Sequence, residues 1–140
     1  IVGTYGCGVL GGIFPKRYVL SILYLTRSVV FLLFITHPVD EWSVYLFSTM
    51  MGLLWLGTVP LTSALVAQIF GAQYMATLFG IVFFGHQLGS FFGVWIGGYL
   101  FEEMKTYDVV WYGSILLGIV AALMHLPIRE QSLHRAQVKI

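Results

Sequence analysis

The 140-residue chain has few charged residues and almost no cysteine. Only 9% of its residues are charged, against 59% that are hydrophobic. A water-soluble protein of this composition would lack the polar surface to cover itself, so a soluble domain is excluded. The single cysteine excludes an internal disulfide framework, and the net charge of +1, with no basic surface, excludes nucleic-acid binding.

Long apolar blocks make up most of the chain. They run for about 18 to 25 residues, which is the length that a helix needs to cross about 30 Å of hydrocarbon. They do not alternate polar and apolar residues as membrane strands do. The sequence therefore predicts an all-α fold, a polytopic transmembrane helical bundle over residues 1–126. Its full spans are expected at about 18–36, 43–70, 76–101 and 109–126.

The first segment, Ile1 to Phe14, is apolar and glycine-rich but too short to cross a membrane. It does not begin with Met, and it lacks the basic region and the small-residue cleavage site of a signal peptide. We interpret it as the second half of a span. On this interpretation the chain is a fragment whose N-terminal part is missing.

Charges are expected to segregate to opposite sides of the membrane. If the spans alternate in direction, one side holds most of the basic residues and the other holds the acidic loops. Lys and Arg in short loops stay on the cytoplasmic side, so residues 127–140 are predicted to form a cytoplasmic tail. We expect an integral protein of the cytoplasmic membrane, inner or plasma, with the lipid bilayer as a partner. The basic residues concerned are Lys16, Arg17, Arg129, Arg135 and Lys139.

The stretch FFGHQLGSFFGVWIGG, Phe83 to Gly98, repeats glycine at every fourth position. Linked GxxxG steps let another helix approach closely, which favours association in lipid. At about 100° per residue, His86 and Ser90 lie on or beside the same face, so both are expected to face protein or a water-filled cavity. The predicted packing residues are Gly85, Gly89, Gly93 and Gly97.

His86 allows two interpretations. Histidine changes charge near physiological pH, so this side chain could relay a proton or hydrogen-bond a substrate. Alternatively, a neutral imidazole could join two helices by a hydrogen bond, as Gln87 could nearby. No second His, Cys or carboxylate falls at ligand spacing within a span, so neither a metal nor another cofactor is predicted.

Arg27 lies near the centre of its span, in YLTRSVVF, where an unpaired cation is costly. Every acidic residue of the chain lies in a loop or in the tail. The counter-charge could be an acid elsewhere in the protein, helix-end carbonyls or the carboxylate of an anionic substrate. Tyr24 and Phe31, one turn on either side, could shield Arg27 by cation–π contact.

The span over residues 43–70 contains an irregular stretch, GLLWLGTVPLTSALVAQ. Pro60 lacks the N–H that would bond the Leu56 carbonyl, and Gly57 eases a bend. Bent helices beside a cavity are common in transporters. A stripe on this span could line a path, or its threonines could simply bond their own i−4 carbonyls. The stripe consists of Trp55, Thr58 and Thr62.

The whole chain resembles the C-terminal part of a major facilitator superfamily transporter, from late in the eighth helix to the twelfth helix and the tail. GTYGCGVLGGIFPKRYVLSILYLTR resembles the junction of the eighth and ninth helices, and GSFFGVWIGG resembles the glycine pattern of the eleventh. Gly12 and Ile13 stand where the family pattern has Asp and Arg. Val94 replaces a proline, which removes any argument from that motif to antiport.

The resemblance implies a secondary active transporter that moves a small solute by alternating access. The solute could be an organic anion of the monocarboxylate-type branch, and the missing N-terminal half would complete the protein. In that family the tenth and eleventh helices contact the central path, which favours their residues over Arg27 of the ninth. The candidates for a substrate or proton path are Trp55, Thr58, Thr62, His86, Gln87, Ser90 and Arg27.

A non-transporting scaffold or subunit of a membrane complex is the alternative, since glycine seams also serve assembly. An enzyme is not predicted. Cys7 stands alone, and no Ser, His and acid cluster in a plausible order at one depth. The glycines lie inside apolar helices and not in a nucleotide-binding turn.

Overall fold

The computed structural model describes residues 1–132; the predicted tail residues 133–140, with Arg135 and Lys139, lie outside this range. The described part is helical and contains no strand, so the all-α fold class is confirmed. A 3-10 turn, Ala72–Tyr74, precedes the fifth helix. The helices are α1 (Val2–Ile13), α2 (Lys16–Thr36), α3 (Glu41–Trp55), α4 (Thr58–Phe70), α5 (Met75–Met104) and α6 (Asp108–His125).

Within residues 1–132, four helical stretches are long and apolar enough to cross a membrane. Two of them are the single helices α2 and α6. The others combine two elements each, α3 with α4 and the 3-10 turn with α5. Their bounds are Lys16–Thr36, Glu41–Phe70, Ala72–Met104 and Asp108–His125.

Residues at the connectors explain where the helices begin and end. Pro15 starts α2, and Phe14 before it is extended, as a following proline favours. Asp40 caps α3: its Oδ1 accepts from the Ser43 backbone N–H at 2.8 Å, and its own backbone N–H donates to Ser43 Oγ at 3.0 Å. Gly71 ends α4 at φ 92°, a left-handed angle that favours glycine.

The core lies where α1, α2 and α4 meet. Leu20 and Leu61 are fully buried at its centre. By contrast, α3 has no buried residue, and α5 has only Gly97. The described bundle is therefore closely packed on one side, while most of α5 is exposed. The buried core cluster consists of Cys7, Val19, Leu20, Leu23, Leu61 and Leu65.

Helices α2 and α6 share the most extensive interface. Ser28 Oγ donates to the Ile115 carbonyl at 3.2 Å, and Ser21 Oγ donates to the Ala122 carbonyl at 2.8 Å. A Cβ added at Gly118 would contact the Ser28 hydroxyl. Small residues and interhelical hydrogen bonds drive helix association in lipid, and both act at this interface.

Polar contacts join the start of α2 to the end of α4 and to the residues that follow α6. Lys16 Nζ donates to Gln68 Oε1 at 2.7 Å, and the Arg17 backbone N–H donates to Glu130 Oε1 at 2.7 Å. Arg17 Nη1 also donates to the Ile128 carbonyl at 3.1 Å. We call this the tail end of the bundle. The opposite, acidic end carries Asp40, Glu41, Glu102, Glu103 and Asp108.

Candidate functional site

The membrane-length stretch Glu41–Phe70 is interrupted between α3 and α4. Leu56 (φ −82°, ψ −6°) and Gly57 (φ −66°, ψ −23°) separate the two helices. Pro60 lies in the first turn of α4, and its missing N–H deprives the Leu56 carbonyl of its usual i+4 donor. The bend expected from Pro60 and Gly57 is therefore a break in the helix near the middle of the stretch.

The break brings together two residues predicted from the sequence. The guanidinium carbon of Arg27 lies 4.5 Å from the centre of the Trp55 ring and 5.5 Å from that of Tyr24. Both distances are within the range of about 6 Å for a cation–π contact. Arg27 is half-buried, whereas Trp55, the last residue of α3, is 52% exposed. Two aromatic rings, one on α2 and one on α3, therefore shield the charge of Arg27.

Phe31 does not take the place expected beside Arg27. Its ring centre lies 5.8 Å from that of Phe47 on α3 and 5.5 Å from that of Trp111 on α6. Phe34 joins the same cluster, 4.3 Å from Phe47. Three helices meet at this level near the acidic end, so the Phe31 ring packs among the aromatic rings of α3 and α6. The ring that contacts the Arg27 guanidinium from another helix is that of Trp55.

The threonines after the break bond to backbone nearby. Thr62 Oγ1 donates to the Thr58 carbonyl at 2.8 Å, and Thr58 Oγ1 donates to the Trp55 carbonyl at 3.4 Å. Thr62 therefore bonds its i−4 carbonyl and Thr58 its i−3 carbonyl, while the place of both residues on a path stays a prediction. Each hydroxyl oxygen still has lone pairs, so Thr58 and Thr62 can accept a hydrogen bond from a solute.

The polar residues of α5 are exposed and bond locally. Ser90 Oγ donates to the His86 carbonyl at 3.0 Å, and the His86 ring lies 5.8 Å from that of Phe83 on the same helix. Gln87 is also exposed. Within residues 1–132, the side chains of His86, Gln87 and Ser90 form neither a hydrogen bond nor a cation–π contact with Arg27. Their place on a path stays a prediction.

Three of the four packing glycines of α5 face open space. In the described part of the chain, a Cβ added at Gly85, Gly89 or Gly93 would meet no atom within 4 Å. A Cβ at Gly97 would lie 3.9 Å from Val110 Cγ1 on α6. Close docking on this face stays a prediction, because no helix among residues 1–132 approaches Gly85, Gly89 or Gly93 closely.

Close helix approach occurs instead around the break, at positions that were not predicted from the sequence. A Cβ at Gly57 would contact the sulfur of Cys7, and a Cβ at Gly3 would contact the Leu53 carbonyl. Cys7 is buried and packs on the break from α1. A signal for this seam was present, because Gly3, Cys7 and Gly11 place a small residue at every fourth position.

His125, at the end of α6, is a further residue near this site and was not predicted from the sequence. Its ring stacks on Tyr24, with centres 5.2 Å apart and an angle of 27° between planes. Its Nδ1 lies 2.6 Å from the Ala121 carbonyl, to which the ring donates in the tautomer that carries hydrogen on Nδ1. Arg27 thus contacts the rings of Trp55 and Tyr24, and Tyr24 in turn stacks on His125 at the end of α6.

An apolar groove of about 340 Å³ lies between α2 and α3. Its volume is within the range of small-molecule sites. None of the path residues predicted from the sequence lines it. The lining residues are Val30, Leu33, Phe34, His37, Ser43, Leu46, Phe47 and Met50.

The fold and the break together define an integral membrane protein of the polytopic helical class. The family model of the Major Facilitator Superfamily matches residues 1–139. The chain therefore belongs to this superfamily, as the resemblance implied.

The chain also matches part of a bacterial protein. The chain is 30% identical over 138 residues to the "Uncharacterized MFS-type transporter YcxA" of Bacillus subtilis (strain 168), covering 94% of this chain and 34% of that protein. The chain thus spans about a third of the length of this relative. No solved structure matches the chain described here.

Proposed function

We propose that the protein is a secondary active transporter that moves a small solute across the cytoplasmic membrane by alternating access. In this proposal the chain is the C-terminal part of the transporter. The observation that carries it is the match to the Major Facilitator Superfamily over residues 1–139. The break between α3 and α4 supports it, because interrupted helices border the substrate site in many secondary transporters.

The proposed solute is an organic anion such as a monocarboxylate. Arg27 places a cation inside a membrane-length helix, at the level of the break. By lenient scales such a cation costs about 3 kcal/mol, and desolvated cation–π contacts recover about 2 kcal/mol. Shielding by Trp55 and Tyr24 leaves the charge itself in place. A positive potential at this depth favours an anion over a cation.

The proposed orientation places the tail end in the cytoplasm. Among the described residues, Lys16, Arg17 and Arg129 lie at this end, while the acidic loops lie at the other. Basic residues in short connectors stay on the cytoplasmic side. The path proposed for the solute then runs from the acidic end past Trp55, Thr58 and Thr62 to the tail end.

Uptake into proteoliposomes tests this function. The full-length protein is reconstituted, and labelled lactate and pyruvate are supplied with an inward proton gradient. We expect saturable, concentrative uptake that is absent from vesicles without protein. A wild-type protein that moves neither these anions nor a wider panel of small solutes would contradict the proposal and favour the scaffold alternative.

His86 is the proposed proton-responsive group on α5. We expect His86→Ala to flatten the pH dependence of lactate uptake, because histidine is the side chain that changes charge near physiological pH. The matched control is His37→Ala, which removes a histidine from the connector between α2 and α3 and should leave the pH profile unchanged. An unaltered profile in His86→Ala would assign this histidine to packing.

A further inference from the structure

The start of α2 has no cap from the residues around it. Pro15 occupies the N-cap position without a side-chain hydrogen bond, and the first turn carries no acidic residue. Residues 1–36 contain neither Asp nor Glu. The helix instead begins with two cations, Lys16 and Arg17, at the end where the helix dipole is positive. The backbone N–H groups of this turn therefore need an acceptor from elsewhere, and an anion is the most favourable one.

The acceptor comes from the residues that follow α6. Glu130 Oε1 accepts from the Arg17 backbone N–H at 2.7 Å. Arg17 is the second residue of α2, and its N–H is one of the donors that an N-cap side chain ordinarily satisfies. Glu130 thus performs the task of a cap residue from a position 113 residues further along the chain.

Residues 127–130 reach the start of α2 because the chain turns back onto the bundle after α6. The Ile128 backbone N–H donates to the His125 carbonyl at 3.3 Å, and the Ile128 side chain packs on the buried core cluster. The Glu130 carbonyl accepts from Gln68 Nε2, in the last turn of α4, at 2.9 Å. We call residues 127–130 the strap, since they run from the end of α6 to the start of α2 and the end of α4.

We propose that the strap is a conformational device that caps α2 from beyond α6, so that the order of this helix start depends on the docking of the tail. In the docked state Glu130 supplies the acceptor and the negative charge that residues 1–36 lack. When the tail is drawn away from the bundle, the first turn of α2 is left with two cations and no cap. The inference goes beyond the proposed transport function and does not depend on it, because it rests on the contacts of the strap alone.

Helix α3 has the local cap that α2 lacks. Asp40 precedes it and accepts from the Ser43 backbone N–H at 2.8 Å, and Glu41 adds a negative charge in the first turn. This start needs no acceptor from a distant part of the chain. An event confined to the strap should therefore alter the first turn of α2 and leave the first turn of α3 unchanged.

Hydrogen exchange of the full-length protein in detergent, measured by mass spectrometry, tests the device. Peptides covering residues 16–20 report the start of α2, and peptides covering residues 41–45 report the start of α3. We expect Glu130→Ala to speed exchange at the start of α2 by about fivefold, as the loss of one net hydrogen bond implies, with no change in α3. Ile128→Ala should act in the same direction, because it loosens the strap although its side chain is not part of the cap.

A new local cap provides the decisive variant. Pro15→Asp places a carboxylate at the N-cap position, where it can accept from the Arg17 N–H in place of Glu130. Combined with Glu130→Ala or with Ile128→Ala, it should return the exchange of α2 to the wild-type rate. Pro38→Asp is the matched control, since it makes the same change in the connector between α2 and α3 and should leave the fast exchange of α2 as it is.

Three results would each overturn the inference. The first is wild-type exchange at the start of α2 in Glu130→Ala and Ile128→Ala, which would mean that the strap protects nothing there. The second is an equal increase at the starts of α2 and α3, which would mean that the strap acts on the whole fold. The third is fast exchange of α2 that persists in both double variants with Pro15→Asp, which would mean that capping is not the task of Glu130.

The exchange measurement and the uptake assay fail independently. A protein that takes up no solute but shows the expected exchange pattern would lose the transport function and keep the strap. A protein that takes up lactate and shows unchanged exchange in the strap variants would keep the transport function and lose the strap.

Discussion

Hydroxyl side chains in these helices bond mostly to backbone carbonyls of their own helix. Ser90 bonds the His86 carbonyl, Thr62 that of Thr58, and Ser114 that of Val110. Lipid offers no hydrogen-bond partner, so a serine or threonine inside a span finds one on the backbone. The exceptions are informative: Ser21 bonds across to α6, and Ser28 bonds both its own helix and α6.

At Asp40 we predict a pH-dependent contribution to stability. Hydrogen bonds from the Ser43 backbone and side chain hold the pKa of this carboxyl below its usual value. A carboxyl with a lowered folded-state pKa stabilises the fold above its unfolded pKa of about 3.9, and the effect is lost as the pH falls through the folded value. Asp40→Ala should therefore lower the Tm at neutral pH, and the difference from wild type should shrink in acid.

Asp40→Asn is the matched control for this cap. Asn also accepts hydrogen bonds at a helix N-terminus but does not titrate. It should keep most of the stability at neutral pH and show no acid-dependent loss at this site. Thermal unfolding of the three proteins in detergent across the pH range measures both effects. An Asp40→Ala protein as stable as wild type at neutral pH would contradict the prediction.

The described helices pair through small residues at two interfaces. One joins α1 to the break, where Cys7 packs on Gly57, and the other joins α2 to α6, where Ser28 packs on Gly118. Small side chains let backbones approach closely, so dispersion and interhelical hydrogen bonds replace the hydrophobic drive that lipid removes. A bulky residue at either interface should force the helices apart.

We predict that Gly118→Leu weakens the pairing of α2 and α6. A Cβ at position 118 would already contact the Ser28 hydroxyl, and a longer side chain would displace the helix. Overpacking of this kind costs about 1–3 kcal/mol. Gly113→Leu is the control on the same helix, since a Cβ there meets nothing within 4 Å. Equal unfolding free energies for the two variants would show that this seam contributes little.

The open glycine face of α5 leads to a different prediction. In the full-length protein, Gly93→Leu should abolish folding or uptake, because the predicted seam needs a neighbouring helix at close range. Gly98→Leu is the control: a Cβ there also meets no atom within 4 Å, and at about 100° per residue it lies off the seam face. A stable, active Gly93→Leu protein would mean that no helix docks there.

At the scale of the whole molecule, the start of the tail joins two helices. Glu130 accepts from the Arg17 backbone N–H through its carboxylate and from Gln68 Nε2, at 2.9 Å, through its carbonyl. The carboxylate lies at the N-terminus of α2, where the helix dipole favours a negative charge. These two hydrogen bonds hold Glu130 against the start of α2 and the end of α4.

We predict that Glu130→Ala lowers the free energy of unfolding by about 1 kcal/mol, the usual net value of a hydrogen bond. Glu130→Gln keeps an acceptor oxygen and should lose less. Glu103→Ala, at an exposed position of the acidic end, is the control and should be close to wild type. Denaturant unfolding of the three variants checks the order. A larger loss for Glu103→Ala would contradict it.

The sequence by itself determined the membrane-spanning all-α class, the superfamily and the level of the helix break. The superfamily came from a resemblance of whole stretches of sequence to known transporters, whereas the class and the break depend on composition, on the length of apolar blocks and on local backbone chemistry, such as the missing N–H of Pro60. Each is a property of one residue or one helix in contact with its solvent, so no knowledge of neighbouring helices was needed.

The tertiary structure alone decided which faces meet. The strongest small-residue signal, at Gly85, Gly89 and Gly93, faces open space in the described chain, while shorter patterns around Cys7 and Gly118 form the contacts. Arg27 meets Trp55, 28 positions away along the chain, and not Phe31 one turn away. Spacing along a helix shows which residues share a face, but the partner of that face depends on how whole helices pack.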